Sequence, residues 1–260
     1  MRVYLINLER RKDRLKAMEE QADIHGLSLE RVAALDARTA DRSIVNRWFA
    51  NAGPLGELPA GDKACLLSHR AAWERFAASG EAHAVFLEDD VRLSRVAGPM
   101  LACDAWIPAG IDVVKLEHYG PPGQRVLLAG LHDVGEDFRI GRMLSRHTGA
   151  AAYILSRKAA AMLLAEQRFD LAVDHLMFNP NNSKLFARLS PWQLLPAIAR
   201  QQEFVGEKSD IEKTRKGLRS FGFTYVGREL LRFAYDLKLL PRQVAALLSG
   251  AKFVAVEMAD

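Results

Sequence analysis

The sequence predicts an α/β fold with a mostly parallel sheet, and three observations carry that prediction. Short apolar runs alternate with charged, helix-favouring stretches along most of the chain. Several of these runs are apolar without a polar alternate, as expected of strands covered by helices on both faces. The first and third runs end abruptly in clusters of charged side chains, and open α/β sheets keep their ligands at the carboxyl ends of their strands.

Arg2 to Leu8 reads as the opening strand, and Arg11 to His25 as a helix that Gly26 terminates. Leu29 to Leu35 is the second strand, and the glycines and prolines from Gly53 to Gly61 mark a loop. A helix follows from Asp62, read as its N-cap, to Ser79, with Gly80 as the stop. Ala84 to Leu87 and Asp112 to Leu116 are short strands, and Gln124 to Leu144 has the glycine spacing of hairpins or a mobile loop. Ala150 to Leu155 reads as a strand, Arg157 to Gln167 as a helix and Lys184 to Leu189 as a further strand. From Glu207 the chain looks helical, with a β-pattern only at Lys252 to Val256. The simplest organisation is one α/β domain over residues 1–205 and a basic, amphipathic helical tail over 206–260.

The 260 residues carry a net charge of +4, too small a surplus for nucleic-acid binding, and Glu207 to Arg242 accounts for it with nine Lys/Arg against five Asp/Glu. Leu230, Leu231, Phe233, Ala234, Leu237 and Leu240 line one helical side of that stretch, with Arg228, Arg232, Lys238 and Arg242 nearby. This pattern fits either an anionic membrane surface or a packing face. The apolar run after Met1 is too short for a signal peptide, and no stretch approaches the ~20 uncharged residues that span a bilayer. Cys65 and Cys103 lack zinc-site spacing and read as core thiols. The expected location is the cytoplasm, free or at the inner face of the membrane.

Glu88, Asp89 and Asp90 follow a buried strand directly. Their mutual repulsion is relieved either by a divalent cation, Mg²⁺ or Mn²⁺, or by solvation in an acidic turn. Alternation along an extended backbone puts Glu88 and Asp90 on one face, as the metal ligands, with Asp89 pointing away. Asn7, Arg11 and Arg14 leave the first strand at the same end, where guanidinium groups grip phosphate or simply solvate a helix start. No glycine precedes Gly26, so the glycine-rich first loop of dinucleotide-binding enzymes is missing, as are GxSxG, P-loop and HExxH patterns. On the helix from Ala64 to Phe76, His69 shares an apolar face with Cys65, Ala72 and Phe76, which is the pattern of a hydrogen-bonded core histidine in a supporting role.

Five segments in order resemble glycosyltransferase family 25, which includes lipooligosaccharide and procollagen galactosyltransferases. They are Tyr4–Arg14 (YLINLERRKDR), Gly61–Trp73 (GDKACLLSHRAAW), Leu87–Val91 (LEDDV), Thr148–Arg157 (TGAAAYILSR) and Val173–Asp174, covering about two-thirds of the chain. The resemblance implies a GT-A type nucleotide-binding domain with a mixed sheet. It also implies a UDP-sugar donor, most often UDP-galactose, a saccharide or lipid-linked saccharide acceptor, and inversion at the anomeric carbon with a divalent cation. On this reading Asn7, Arg11, Arg14, Ser68, His69, Glu88, Asp89 and Thr148 line the nucleotide sugar, and Glu88 and Asp90 hold the metal. Asp174 is the general base, or alternatively a helix N-cap. His147, His175 or diphosphate oxygens would complete the metal shell. A non-catalytic glycan- or nucleotide-binding protein of the same fold and a metal-dependent phosphohydrolase are the rival functions.

Overall fold

The structure is a computed structural model, and it describes residues 1–121, 123–135, 137–202 and 237–260. Strand β1 (Arg2–Leu8) leads into helix α1 (Lys12–His25), which Gly26 ends in the left-handed conformation at φ 63°. Strand β2 (Leu29–Ala34) then pairs parallel with β1. Asp41 caps the short helix α2 (Arg42–Asn46), its side chain accepting from Ser43 N. Helix α3 (Ala60–Ser79) precedes β3 (His83–Glu88), a short β4 (Val91–Leu93) and α4 (Ala97–Ala102). Next come β5 (Val113–Lys115), β6 (Glu117–His118), β7 (Arg125–Asp133), β8 (Arg139–Met143) and β9 (Ala152–Ser156). Helices α5 (Arg157–Leu164), α6 (Val173–Phe178) and α7 (Phe186–Leu189) lead to β10 (Trp192–Leu195) and β11 (Ala199–Gln201). Residues 237–248 are helical, and β12 (Lys252–Ala255) closes the chain.

The main sheet has the order β12-β7-β8-β10-β5-β9-β3-β1-β2, and β4-β11-β6 form a second, small sheet beside it. The main sheet is covered on both sides, which explains strands that are apolar throughout. Tyr4, Ile6 and Phe86 join Trp73 and Phe76 of α3 in one cluster, while Val3, Leu5, Val85 and Leu87 join Met18 of α1 and Leu101 of α4 in the other. Among the described residues, no helix is long and apolar enough to cross a membrane.

Four expectations are corrected. The sheet is mixed as the family resemblance implies, but not mostly parallel: β1–β2, β1–β3 and β5–β10 are parallel, whereas β9 pairs antiparallel with both β3 and β5. The remaining pairs, β8–β10, β7–β8 and β12–β7, are antiparallel too. Short buried runs hide strand direction, because both faces are apolar either way. The run ending at Leu189 contains α7 instead of a strand: Ser183 Oγ accepts from Leu185 N and Phe186 N to start the turn, and Ser190 at φ 45° stops it. Asp62 is not the N-cap of α3, which begins at Ala60 behind Pro59; its carboxylate lies buried in the first turn. Of the cysteines, Cys65 is half-buried and Cys103 is exposed, so only the former resembles a core thiol.

The expected tail from Glu207 lies largely outside the described residues. In its described part, Leu237, Leu240, Val244 and Leu247 are exposed along residues 237–248. The strand expected at Lys252 to Val256 is present, and it pairs with β7 at the edge of the main sheet while Val256 is fully buried. The last residues therefore belong to the sheet and not to a separable tail. Removing residues 252–260 uncovers the edge of β7 and the site that Val256 fills, worth roughly 1.5–3 kcal/mol for that side chain alone. At roughly 2–4 °C per kcal/mol, scanning calorimetry of the truncated chain is expected to show a Tm lowered by at least ~3 °C. An unchanged Tm would mean that this segment is an appendage.

Candidate functional site

The register of β1 on β3 sets Ile6 opposite Glu88, so the two strands end side by side and their exits face the same space. Asn7, 1% exposed, sits at the join. Its Nδ2 donates to Asp89 Oδ2 at 2.8 Å and to Arg11 O at 3.1 Å, and its Oδ1 accepts from Arg31 Nε at 2.9 Å. Arg14, one turn into α1, donates from Nη1 to Asp89 Oδ1 at 2.9 Å and to Asp90 Oδ2 at 3.3 Å. One guanidinium thus bridges two neighbouring carboxylates, both largely buried, and removes most of their mutual repulsion. Arg11 points elsewhere: its Nε and Nη2 grip Asp13, whose carboxyl is held well below the ordinary carboxylate range by that contact.

Glu88 faces a different set of partners. Its Oε1 lies 3.0 Å from His69 Nε2 and 3.7 Å from Cys65 Sγ, both on α3 one turn apart. Its Oε2 meets Gln201 Nε2 of β11 at 3.5 Å. Behind it, His69 Nδ1 lies 2.7 Å from Tyr153 OH, which also accepts from Trp73 Nε1 at 2.8 Å. Tyr153 is itself stacked on Phe86 at 5.2 Å. Burial pushes the Tyr153 hydroxyl and the Cys65 thiol well above their usual pKa, and for the thiol the charges of Glu88, Asp62 and Asp174 add to the effect. Ligand atoms of Cys65, His69 and Glu88 all lie within 4.8 Å of one another. That convergence has a simpler cause than a metal. The Cys65 S–H and His69 Nε2 both lie against one carboxylate oxygen, and a thiol kept protonated by burial is a poor ligand.

Deeper in, Lys115 and Glu117 form an ion pair at 2.6 Å with neither side chain exposed. Lys115 Nζ also donates to Gly149 O at 2.6 Å and lies over the Phe178 ring, while Glu117 Oε1 accepts from Ala151 N at 2.9 Å. Burial drives both groups toward neutrality: Lys115 is lowered, despite the neighbouring charges of Glu117, Asp174 and Glu88, and Glu117 is raised to about 7. Gly149, at φ +87°, is required here, because a Cβ would fall 2.5 Å from the Tyr119 ring and 3.0 Å from Glu117 Oε1. Gln193 donates from Nε2 to the carbonyls of Lys115 and Glu117, each at 3.3 Å. Its Oε1 therefore accepts the Nδ1–H of His147 at 2.8 Å, and burial holds that imidazole neutral, with its pKa pushed down to about 3.

The expected site residues are only partly brought together. Asn7, Arg14, Glu88, Asp89 and Asp90 converge at the strand ends. The alternation expected of the acidic triplet is corrected: β3 stops at Glu88, and the turn that follows puts Asp89 and Asp90 together on Arg14 while Glu88 faces His69. Ser68 is engaged by backbone, donating to Ala64 O and accepting from Leu35 N, which ties α3 to the end of β2. His69 is fully buried behind Glu88, out of reach of a ligand. Thr148 is half-buried between His147 and Gly149. Asp174 is not an N-cap, since Ala172 holds that position in α6; its Oδ1 accepts from His175 N at 2.8 Å, and its charge is felt at Cys65 and Lys115. His147 is committed to Gln193 and His175 Nδ1 lies 2.7 Å from Asn179 Nδ2, so the histidine beside the acidic triplet is His69. Sequence reasoning missed Lys115, Glu117 and Gln201. A lysine within the apolar run Val113 to Leu116 and a glutamate directly after it, two apart, were the available signal, since strand neighbours at that spacing share a face.

A divalent cation is tested by the oxygen donors present. Three carboxylates at one strand end are hard ligands of the kind Mg²⁺ and Mn²⁺ prefer, and Glu88 Oε2 meets an amide at the outer limit of hydrogen bonding. The residues fit such an ion, with Arg14 sharing the aspartates.

Residues 1–177 match the family model described as glycosyltransferase family 25 (LPS biosynthesis protein). A glycosyltransferase 25 family member of Anopheles gambiae is 28% identical over 239 residues, covering 84% of this chain. The lacto-N-neotetraose biosynthesis glycosyltransferase LgtE of Neisseria gonorrhoeae is 30% identical over 198 residues, 68% of this chain. LgtB of the same organism is 34% identical over 160 residues, 54% of the chain. The matches span 39%, 66% and 53% of those proteins respectively.

Breaking the buried pair tests its place in the site. Lys115→Met leaves a carboxylate buried beside Glu88 and is expected to cost about 3–5 kcal/mol in urea unfolding, while the double change with Glu117→Leu recovers most of it. Glu117 binds its proton more tightly in the folded chain than unfolded. Its stabilising contribution is therefore full below about 4.5 and lost as pH rises through about 7. Glu117→Gln is expected to flatten that part of the stability profile.

Proposed function

The chain belongs to glycosyltransferase family 25, and from that membership we propose that it moves a sugar from a nucleotide-sugar donor to a saccharide acceptor. The observation that carries the reading is the convergence at the ends of β1 and β3 of Asn7, Arg14 and three carboxylates, with Asp174 acting electrostatically on the same surroundings. The donor is proposed as a UDP-sugar, UDP-galactose first, in a GT-A type arrangement. Relatives named for lacto-N-neotetraose biosynthesis support a surface glycan of the lipooligosaccharide kind as acceptor.

Each residue then has a task. Glu88 and Asp90 would hold Mg²⁺ or Mn²⁺, which when bound supplies charge neutralisation at the donor diphosphate. Arg14 adds a fixed positive charge on the same side and keeps Asp89 and Asp90 in place. Asn7 fixes the exit of β1 against Asp89. Asp174 takes the proton of the acceptor hydroxyl as its oxygen bonds to the anomeric carbon, while the bond from that carbon to the diphosphate oxygen breaks on the opposite face, inverting the configuration.

Slow hydrolysis of a panel of UDP-sugars, followed by UDP release, tests the metal. Activity is expected with Mn²⁺ or Mg²⁺, and to vanish with EDTA or in Glu88→Gln; full activity under either condition removes the cation from the reading. Asp174→Asn is expected to leave donor affinity nearly unchanged while lowering turnover by about 10²- to 10⁴-fold. Were that variant instead less stable with its turnover intact, the base would have to be sought elsewhere.

A further inference from the structure

The hydrogen bonds behind Glu88 have a direction, and it starts from a group that can only donate. Trp73 has a single polar atom, an N–H, so Tyr153 oxygen is the acceptor of their 2.8 Å contact. The Tyr153 hydroxyl proton is then available to His69 Nδ1 at 2.7 Å, which makes Nδ1 the acceptor and places the imidazole proton on Nε2. That proton points at Glu88 Oε1, 3.0 Å away. With the proton on Nδ1 instead, Tyr153 would accept twice, and the bare Nε2 would face a carboxylate oxygen, lone pair against lone pair. Trp73, His69 and Tyr153 are all fully buried, and Tyr153 is stacked at 5.7 Å on His69 and at 5.2 Å on Phe86, so no member of the chain can swing.

From this geometry we infer that His69 is a positioning residue that holds Glu88 with Oε1 turned inward and Oε2 as the single oxygen presented to the donor. Cys65 contributes to the same end, its S–H directed at Oε1 from one helical turn before His69. Oε1 therefore faces two groups on α3, whereas Oε2 meets Gln201 at 3.5 Å, and the Glu88 side chain as a whole is 21% exposed. Glu88 is thus a one-oxygen ligand with a fixed direction. The inference rests on the proposed role of Glu88 at the donor. Its reach is longer, because it assigns the LSH segment of α3 a function without any contact to substrate: His69 acts through Glu88, and Trp73 and Tyr153 act through His69.

Two side chains separate positioning from mere filling of the core. Glutamine places an N–H donor near the position of imidazole Nε2, and asparagine places its amide near Nδ1. His69→Gln is expected to retain most donor hydrolysis, and His69→Asn to lose about 10- to 100-fold in activity, the usual effect of removing a partner that orients a metal ligand. Equal losses in the two variants would overturn the inference. A second measurement needs no activity: ¹⁵N-histidine NMR of the full chain, with the His69 ring assigned by its through-space contacts to the Trp73 and Tyr153 rings. The expected tautomer of His69 carries its proton on Nε2, and a proton on Nδ1 overturns the inference even should neither variant fold. Undiminished hydrolysis by Glu88→Gln would instead defeat the proposed role of Glu88, and the tautomer would still report whether the directed chain exists.

Discussion

The bridge from Arg14 to Asp89 and Asp90 is the contact on which the site's arrangement depends. Two adjacent carboxylates, each about nine-tenths buried, need a cation beside them to offset their shared negative charge. A guanidinium meets this need from a fixed distance, because α1 starts immediately after β1 and its first turn carries Arg14 to the neighbouring strand's exit. Asn7 completes the arrangement by donating to Asp89 from the penultimate position of β1. The order strand, charged helix start, strand, acidic turn is therefore one electrostatic unit assembled from two distant segments. It explains how three consecutive acids are tolerated beside a core: two share the single charge of Arg14, and the third is drawn away toward α3.

That separation of Glu88 from its neighbours follows from where β3 ends. A strand continued through Asp90 would have put Glu88 and Asp90 on one face. The turn at Asp89 and Asp90 leads into β4, and β4 pairs with β11, bringing Gln201 opposite Val91 and within reach of Glu88. The small sheet is thus the device that closes the site from the side opposite α3. Its third strand, β6, begins with Glu117, whose partner Lys115 ends β5 in the main sheet. One ion pair consequently links the two sheets beneath the carboxylate cluster.

The sequence made the first half of this legible and the second half less so. The strand of Leu5 and Ile6, the acidic triplet and the fully apolar run before it were readable because burial on both faces leaves a continuous pattern, and because charges at a strand end are conspicuous. Strand direction was not readable, since parallel and antiparallel pairing can bury the same apolar residues; β9 inserts antiparallel between β3 and β5 with no mark in its composition. Ser68 was legible as a polar residue on a helix near the site, but its partners Ala64 O and Leu35 N are backbone atoms, which no side-chain pattern announces. Lys115 and Glu117 were masked by the apolar residues around them. Their meaning lies in the 2.6 Å distance between them, and that distance exists only once β5 and β6 are in place.

The two halves of the sheet also divide the proposed labour. The parallel portion formed by β2, β1 and β3 carries the groups assigned to the donor, Asn7, Arg14 and the acids. The antiparallel portion around β9 and β5 carries the buried pair, with Asp174 on helix α6. Between them stands Tyr153 of β9, stacked on Phe86 of β3 and hydrogen-bonded to both Trp73 and His69. A displacement of β9 against β3 would disturb the Glu88 side through Tyr153 and the Lys115 side through Ala151, whose N–H binds Glu117. Because close-packed interiors deform little, such a shift is resisted by the whole aromatic cluster and not by the hydrogen bonds alone. The rigidity that fixes a carboxylate oxygen at one strand end is therefore a property of the core beneath it.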